Sequence, residues 1–424
     1  MTLNRRKFLH LSALSGLGLV LPSTLSTTAR AQNSQYDGLF FIHVHAAGGW
    51  DPTSFCDPKG GESEDEENPM NRSYLKSEIM EAGNIRYAPV GFNETFFNKH
   101  HQRLLVINGI DTETNGHDSG TRNIWSGKLT ETHPSLGALA AAALNPELPM
   151  SFISNGGYDE TKGLVAPTRN GNTNVLERLA YPFRINPSDE NNRFHTPDVE
   201  RRILEHQRAR LERLRGQAQL PMVSKALSHL HMSRMGENDL QRLTDYLPDS
   251  LDNSNNPLRR QAQIAFAAYQ AGISVSANLR IGGFDTHGNH DNSHIPSLTR
   301  YLEGVDFILD EAERLGLSEK VVVVMGSDFG RTPRYNSGNG KDHWSVTSMM
   351  FAGPGIIGNR VIGTTTHEHQ PITVNPSTLE PDESGIRIKP EHIHKAFRIY
   401  AGIDDSQAAQ NFPLSPSHEL ALFS

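Results

Sequence analysis

Four consecutive valines in the stretch "KVVVVMGS" constrain the fold more than any other feature of the sequence. An unbroken apolar run of this kind is typical of a strand that is buried on both faces within a parallel sheet. Comparable runs occur in "LFFIHVHAAGGWD", "LLVINGID" and "SVSANLRI", and helical stretches such as "SLTRYLEGVDFILDEAERLGL" lie between them. This alternation predicts an α/β domain with a mostly parallel central sheet and helices on both faces.

The N-terminus reads as an export signal. Arg5, Arg6 and Lys7 precede a short apolar run, and "ARAQ" provides small residues around Ala31 for cleavage. The pattern resembles a twin-arginine signal peptide over residues 1–31, read by the twin-arginine export machinery. The run is too short to span a bilayer. We therefore expect a periplasmic or secreted protein with no stable membrane span.

Charge and cysteine content narrow the possible partners. The signal carries four basic residues and no acidic one, so its removal takes the formal net charge from −8 to −12. An acidic mature protein is a poor partner for nucleic acid. Cys56 is the only cysteine, which excludes an intrachain disulfide.

The mature chain is predicted to be a single domain over residues 32–424. Residues 198–250 differ in kind, because dense charges at helical spacing replace the apolar strands. We interpret this segment as a helical insertion packed on the main domain. Its arginines alternate with acids, so they indicate a solvated helix face.

Polar clusters follow four of the strand-like runs, and in an α/β sheet such clusters converge at the carboxyl edge. The most concentrated is "GGFDTHGNHD" at 282–291. Carboxylate and imidazole ligands from different elements suit zinc, manganese or a similar divalent ion. His290 is an alternative to His287, or it caps the following helix together with Asp291. The candidate metal ligands are Asp51, Asp285, His287, Asp328 and His343.

Three further residues are candidates for catalysis. Ser119 and Thr121 lie where a helix is predicted to begin, and a helix N-terminus offers free N–H groups to an oxyanion. Either hydroxyl could act as a nucleophile beside a metal, and Ser119 could equally be an N-cap. Arg331 could bind a phosphate or sulfate group, or pair with Asp328.

The motifs "GGWD", "IWSG", "GGFDTHGNHD" and "SDFGRTPRYNSGNGKDHW" resemble the family called domain of unknown function 1501 over almost the whole mature chain. Through that family the chain is similar, more distantly, to the alkaline phosphatase and sulfatase superfamily. The resemblance implies an alkaline-phosphatase-like fold, the five metal ligands named above and a nucleophile at Ser119. It implies hydrolysis of phosphate or sulfate esters of small molecules or carbohydrates.

Two departures from the superfamily pattern bear on the metal. Phe329 follows Asp328 where phosphatases commonly have histidine, so we expect one or two ions, drawn from zinc, manganese or calcium. Asp328 itself stands where relatives often have glutamate, which keeps the carboxylate. "CDPKG" is similar to a sulfatase modification motif, but Gly60 replaces its arginine and we interpret Cys56 as structural.

Two other functions stay open. His43 and His45 in "HVH" match the start of metal-dependent amidohydrolases with a TIM barrel, although burial in the sheet or against neighbouring helices suits them better. The second alternative is an exported binding protein that keeps the hydrolase fold without catalysis.

Overall fold

A computed structural model describes residues 36–169, 180–186, 189–217 and 237–423. Within it, Tyr36–Ser424 form one compact unit. The predicted signal peptide, residues 1–31, lies outside the described residues. Among the residues that are described, no helix has the length and apolar character needed to cross a membrane.

The described strands form one large sheet and two small ones. The large sheet has the order β12-β4-β11-β8-β1-β7-β5-β6, and β9 with β10 and β2 with β3 form separate pairs. The strands are β1 (Phe40–Ala47), β2 (Met80–Ala82), β3 (Ile85–Tyr87), β4 (Leu105–Asp111), β5 (Phe152–Ser154), β6 (Pro167–Arg169), β7 (Ser276–Gly282), β8 (Val321–Ser327), β9 (Gly330–Arg331), β10 (His343–Trp344), β11 (Val346–Ala352) and β12 (Arg360–Ile362).

The large sheet is mostly parallel, as predicted. The central strand β1 runs parallel to β7 and to β8, with His45 opposite Arg280 and Gly326. Only β11 is reversed, since it pairs antiparallel with both β4 and β8. Every residue of β8 is buried, which confirms the interpretation of the valine run as a strand covered on both faces.

Helices cover both faces of this sheet. The α-helices of the described residues are α1 (Asn93–His100), α2 (His117–Ser126), α3 (Leu136–Leu144), α4 (Pro197–Gln217), α5 (Glu237–Tyr246), α6 (Pro257–Gln270), α7 (His290–Arg314), α8 (Pro390–Tyr400) and α9 (Gln407–Gln410). Short 3-10 turns occupy Pro52–Ser54, Lys76–Glu78 and His101–Arg103.

Two separate apolar cores result from the alternation of side chains along β1. Phe40, Ile42 and Val44 pack into one core together with residues of α1, α6 and α7. Phe41 points to the opposite face and packs with residues of α2, α3 and α8. A strand with period-two alternation thus divides its side chains between two layers of helices.

Two helices form most of the described part of residues 198–250, the segment predicted to be a helical insertion. Helices α4 and α5 fall within residues 198–250 apart from one residue, and Leu243 of α5 is buried in the first core. Residues 218–236 lie outside the described part of the chain. Arg201 of α4 pairs with Asp198 and Glu205, in keeping with a solvated helix face.

The sheet topology overturns the amidohydrolase alternative. A TIM barrel needs eight parallel strands in a closed ring, whereas this sheet runs from β12 at one edge to β6 at the other and contains the reversed β11. His43 and His45 lie on the second face of β1 and are buried against Trp125, as the sequence suggested.

Candidate metal centre

The site lies at the carboxyl ends of β1, β7 and β8, where parallel strands deliver their following loops to one edge. Asp285 and His287 follow β7, and Asp328 follows β8. His343 returns to the same edge because β10 pairs antiparallel with β9, with His343 opposite Arg331. His117 is the first residue of α2.

Three histidine rings, those of His117, His287 and His343, turn their Nε2 edges toward one another. The Nδ1 atom of His117 donates to Asp328 Oδ2 at 2.7 Å, that of His287 to Asp342 Oδ1 at 2.7 Å, and that of His343 to the carbonyl of Asn115 at 2.7 Å. Carboxylate and carbonyl oxygens can only accept, so each Nδ1 carries the hydrogen. In the neutral ring, each Nε2 is therefore a free lone pair.

These free lone pairs converge on the carboxylate of Asp285. The Nε2 atoms of His287 and His343 lie 2.9 Å apart, and they lie 3.1 and 3.2 Å from Asp285 Oδ1. His117 Nε2 lies 3.5 Å from Asp285 Oδ2. Ligand atoms of His117, Asp285 and His343 all fall within 4.8 Å of one another. Acceptors this close repel one another unless a cation lies between them, so the donor set fits a divalent metal.

Arg331 fixes the position of Asp285 by a hydrogen bond. Its side chain is fully buried and donates to Asp285 Oδ1 at 2.8 Å and to the carbonyls of Gly48, Gly49 and Lys341. Burial alone would raise the pKa of Asp285, but the hydrogen bond from Arg331 and its positive charge lower it to about 2. The sequence predicted that Arg331 binds a substrate group or pairs with Asp328. The structure corrects this prediction, because the buried guanidinium donates to Asp285 and to three backbone carbonyls.

Asp328 is buried and orients two histidines instead of joining the cluster. It accepts from His117 and from the Gly48 amide at 3.2 Å, and His45 Nε2 lies 3.1 Å from its other oxygen. Burial opposes ionisation, but these partners hold the pKa of Asp328 well below its usual range. The hydrogen bond to Asp328 in turn raises the pKa of His117. Trp125 fixes the other nitrogen of His45 by donating to Nδ1 at 2.9 Å.

The structure does not bring Asp51 to these ligands. Asp51 is fully buried, and its oxygens accept from Thr53 at 2.7 Å and from Lys341 Nζ at 2.7 Å. His290 Nε2 lies 3.2 Å from the same carboxylate. Burial would raise the pKa of Asp51, but Lys341 and His290 hold it well below the usual range. His290 is thus neither a simple helix cap nor a substitute for His287.

Comparison with known proteins gives the family. The profile described as "Protein of unknown function (DUF1501)" matches residues 41–381. The chain belongs to the DUF1501 family. No protein of curated function matches it.

Solved structures similar to this DUF1501 chain include three hydrolase or synthase folds. They are the PsFucS1 sulfatase from Pseudoalteromonas sp. (9% identity, 99% of this chain and 78% of that chain, TM-score 0.39), the alkaline phosphatase from the Antarctic bacterium TAB5 (10%, 76% and 93%, 0.33) and the lipoteichoic acid synthase LtaP from Listeria monocytogenes (9%, 92% and 76%, 0.37).

The cluster opens into a cleft of about 860 Å³. His117, Thr121, Asp285 and Asp328 are among the residues that line it. Ser119 is not among the lining residues, because its hydroxyl faces Thr114 Oγ1 at 2.6 Å and the carbonyl of Gly116 at 3.1 Å. Of the two candidate hydroxyls in this DUF1501 protein, Thr121 is the one that faces the cleft.

Sequence reasoning did not assign His117 or Asp342 to this site, and it considered His45 only as an amidohydrolase ligand or a buried residue. His117 lies two residues before Ser119 in the polar stretch that follows β4, and this position was the available signal. Phe329, which interrupts the expected Asp-His pair, packs against both His117 and His343, with ring centroids 5.0 and 4.5 Å away. It therefore positions ligands in the DUF1501 site by contact.

Proposed function

We propose that this protein is an exported, metal-dependent hydrolase of phosphate or sulfate esters. A divalent ion would be held by His117, Asp285, His287 and His343, of which His117 and Asp285 line the cleft. The observation that carries the proposal is the convergence of imidazole lone pairs on one carboxylate, each ring fixed by a hydrogen bond from Nδ1. Three imidazoles and one carboxylate suit zinc or manganese.

A bound ion would stabilise negative charge on the ester oxygens and lower the pKa of an attacking group. The protein's own part is orientation: Asp328 fixes His117, Asp342 fixes His287, and Arg331 fixes Asp285. Because Asp328 and Arg331 are buried, the ligands that they contact are held in place before substrate arrives.

Thr121 is the hydroxyl that we assign as nucleophile. His117 and Thr121 are four residues apart on α2, so both side chains lie on the same face of the helix, and both line the cleft. Ser119 is two residues from His117 and points roughly 200° round the helix, in agreement with its contacts to Thr114 and Gly116.

The cleft wall supplies a cation for an anionic ester. Arg280 of β7 lines the cleft, and no hydrogen-bond or ion-pair partner of its guanidinium occurs among the described residues. Gln261 bonds both backbone groups of Arg280, at 2.8 and 3.1 Å, so the base of this side chain is fixed. A planar guanidinium suits the oxygens of phosphate or sulfate.

Export belongs to the proposal as well. Arg5 and Arg6 with the following apolar run support recognition by the twin-arginine machinery, and cleavage near Ala31 would release the protein into the periplasm or medium. Fractionation of cells, with Arg5→Lys/Arg6→Lys as the comparison, tests this part. Unchanged periplasmic delivery of that variant would contradict it.

Metal content tests the centre directly. Mature protein loaded with zinc, manganese or calcium and then dialysed should retain at least about one ion per chain. Asp285→Ala should lose it. Asp118→Ala is the matched control, since Asp118 lines the same cleft and is not part of the cluster. Absence of retained metal under all loadings would overturn the proposal.

Turnover then tests the reaction. The loaded protein is assayed against panels of phosphate and sulfate monoesters and diesters, including carbohydrate esters. We expect Thr121→Val to abolish turnover while metal content is unchanged, and Ser119→Ala to retain it. Retained metal without hydrolysis of any ester would instead favour the binding protein considered above.

A further inference from the structure

A second cluster of charged side chains, formed by Lys341 and Asp51, lies near the proposed metal centre and is buried from solvent. Lys341 and Asp51 are both fully buried, and their charged groups are 2.7 Å apart. Lys341 Nζ lies 3.3 Å from Thr53 Oγ1 and 5.1 Å from the ring centroid of Tyr335. A buried carboxylate requires a positive partner of this kind, because the interior cannot solvate it.

The groups around the ammonium are those that otherwise coordinate a metal ion. Asp51 Oδ2 accepts a hydrogen bond from Lys341 Nζ. The same oxygen lies 3.2 Å from His290 Nε2 and 3.3 Å from Ser54 Oγ. Asp51 Oδ1 accepts from the hydroxyl of Thr53. A carboxylate, an imidazole and two hydroxyls form a donor set for a hard or borderline divalent cation.

Residues 341–343 contribute side chains to both clusters. Lys341 pairs with Asp51, the next residue orients His287, and His343 is a ligand of the proposed centre. The Lys341 carbonyl accepts from Arg331, which also donates to Asp285. One segment therefore delivers an ammonium to one cluster and an imidazole to the other.

We propose that the Lys341 ammonium is a resident cation that takes the place of a second metal ion. The protein then holds one exchangeable divalent ion, and the Asp51 cluster is a latent cation site that opens only when the ammonium is removed. The count of one rests on the proposed metal centre, whereas the latent site depends only on Asp51 and its neighbours.

Metal stoichiometry tests the proposal. Wild-type protein, Lys341→Ala and Lys341→Arg are loaded with Mn²⁺ or Zn²⁺, dialysed, and analysed for bound metal. We expect about one ion in the wild type and in Lys341→Arg, and about two in Lys341→Ala, whose truncation leaves room for an ion beside Asp51. Adding Asp51→Asn to Lys341→Ala should return the content to about one. Lys162→Ala, which removes a lysine of the cleft wall, should change nothing.

A second series separates this proposal from the metal centre. His343→Ala should lose the first ion, and His343→Ala/Lys341→Ala should retain one ion at the latent site. A wild type that does not bind the first ion would therefore count against the proposed function alone. The latent site is tested by the difference in bound metal between proteins with alanine and with lysine at position 341.

Stability offers a readout if Lys341→Ala folds poorly. Lys341→Ser removes the charge and most of the stem but keeps a polar group, and its thermal midpoint should rise with added Mn²⁺ by more than that of the wild type. Two ions in the wild type would overturn the proposal. So would equal Mn²⁺ responses of Lys341→Ser and wild type, or a folded Lys341→Ala without additional metal.

Discussion

At the scale of single residues, the proposed centre depends on hydrogen bonds that its ligands make on the side away from the ion. The Nδ1 atoms of His117, His287 and His343 each donate to a protein oxygen at 2.7 Å. Such bonds select the tautomer that leaves Nε2 free, and their loss typically weakens metal binding by about 10–100-fold. The partner residues should therefore matter nearly as much as the ligands.

Asp342→Ala tests this dependence without touching a ligand. His287 would lose its acceptor, so we expect metal affinity to fall by about tenfold or more. Isothermal titration with Zn²⁺ measures the change, and Asp118→Ala provides the comparison with an exposed carboxylate of the cleft. Equal affinities of the Asp342→Ala variant and the wild type would show that His287 is held by other contacts or is not a ligand.

Spacing along the sequence could place Asp285 and His287 at this edge, because both follow an apolar strand and carry a metal-binding side chain. It could not exclude Asp51, which has the same local pattern. The carboxylate of Asp51 turns back to Thr53 and meets Lys341, which is 290 residues away in sequence. No local pattern records which of two distant groups a buried carboxylate will meet.

At the scale of elements, the loop between β9 and β10 determines whether the ligands meet. Asn336 Oδ1 accepts from the amides of Gly338 and Gly340 at 2.9 Å, and Gly288 forms a bridge with Asn339. The loop therefore packs backbone to backbone on the segment that carries His287.

Gly340→Ala should break this packing. A Cβ atom at Gly340 would lie 1.9 Å from the carbonyl carbon and oxygen of His287, whereas at Gly338 the nearest atom is 3.4 Å away. We expect Gly340→Ala to cost roughly 1–3 kcal/mol of stability and to weaken metal binding. Gly338→Ala should stay within about 0.5 kcal/mol of the wild type. Urea unfolding and metal titration of both variants give the comparison, and similar behaviour of the two would contradict this account.

The elements themselves were largely predictable, since β1, β4, β7 and β8 coincide with apolar runs bounded by polar or glycine residues. Their order in the sheet was not. The reversal of β11 depends on its pairing with β4 and β8, and a buried antiparallel strand shows the same apolar run as a parallel one.

At the scale of the whole molecule, metal binding should be linked to folding. The ligands come from α2, the loop after β7 and β10, so they meet only in the folded chain. Free metal at about 100 times its dissociation constant should stabilise the protein by about 2.7 kcal/mol. Urea unfolding with metal and with chelator measures this difference, and Asp285→Ala should show little of it. Coincident curves for the wild type would argue against binding to the native state.

A second property of the whole molecule is its sensitivity to acid. Burial lowers the pKa of His43 to about 3, while in the unfolded chain a histidine titrates near 6.5. Between these values the unfolded chain binds a proton that the folded chain does not. Stability is therefore complete above about pH 6.5 and falls by about 1.4 kcal/mol per pH unit below it for each such residue.

His43→Leu should remove the contribution of His43 to the loss of stability at low pH. Leucine keeps an apolar side chain at a buried position against Trp125 and cannot take up a proton. We compare the free energy of unfolding at pH 7.5 and pH 5.5. The loss between these pH values should be smaller in the variant by about 1.4 kcal/mol. His206→Leu, at an exposed position of α4, should leave the loss unchanged. An undiminished loss in His43→Leu would mean that other buried groups, such as His394, carry the acid sensitivity, since burial also lowers the pKa of His394 to about 3.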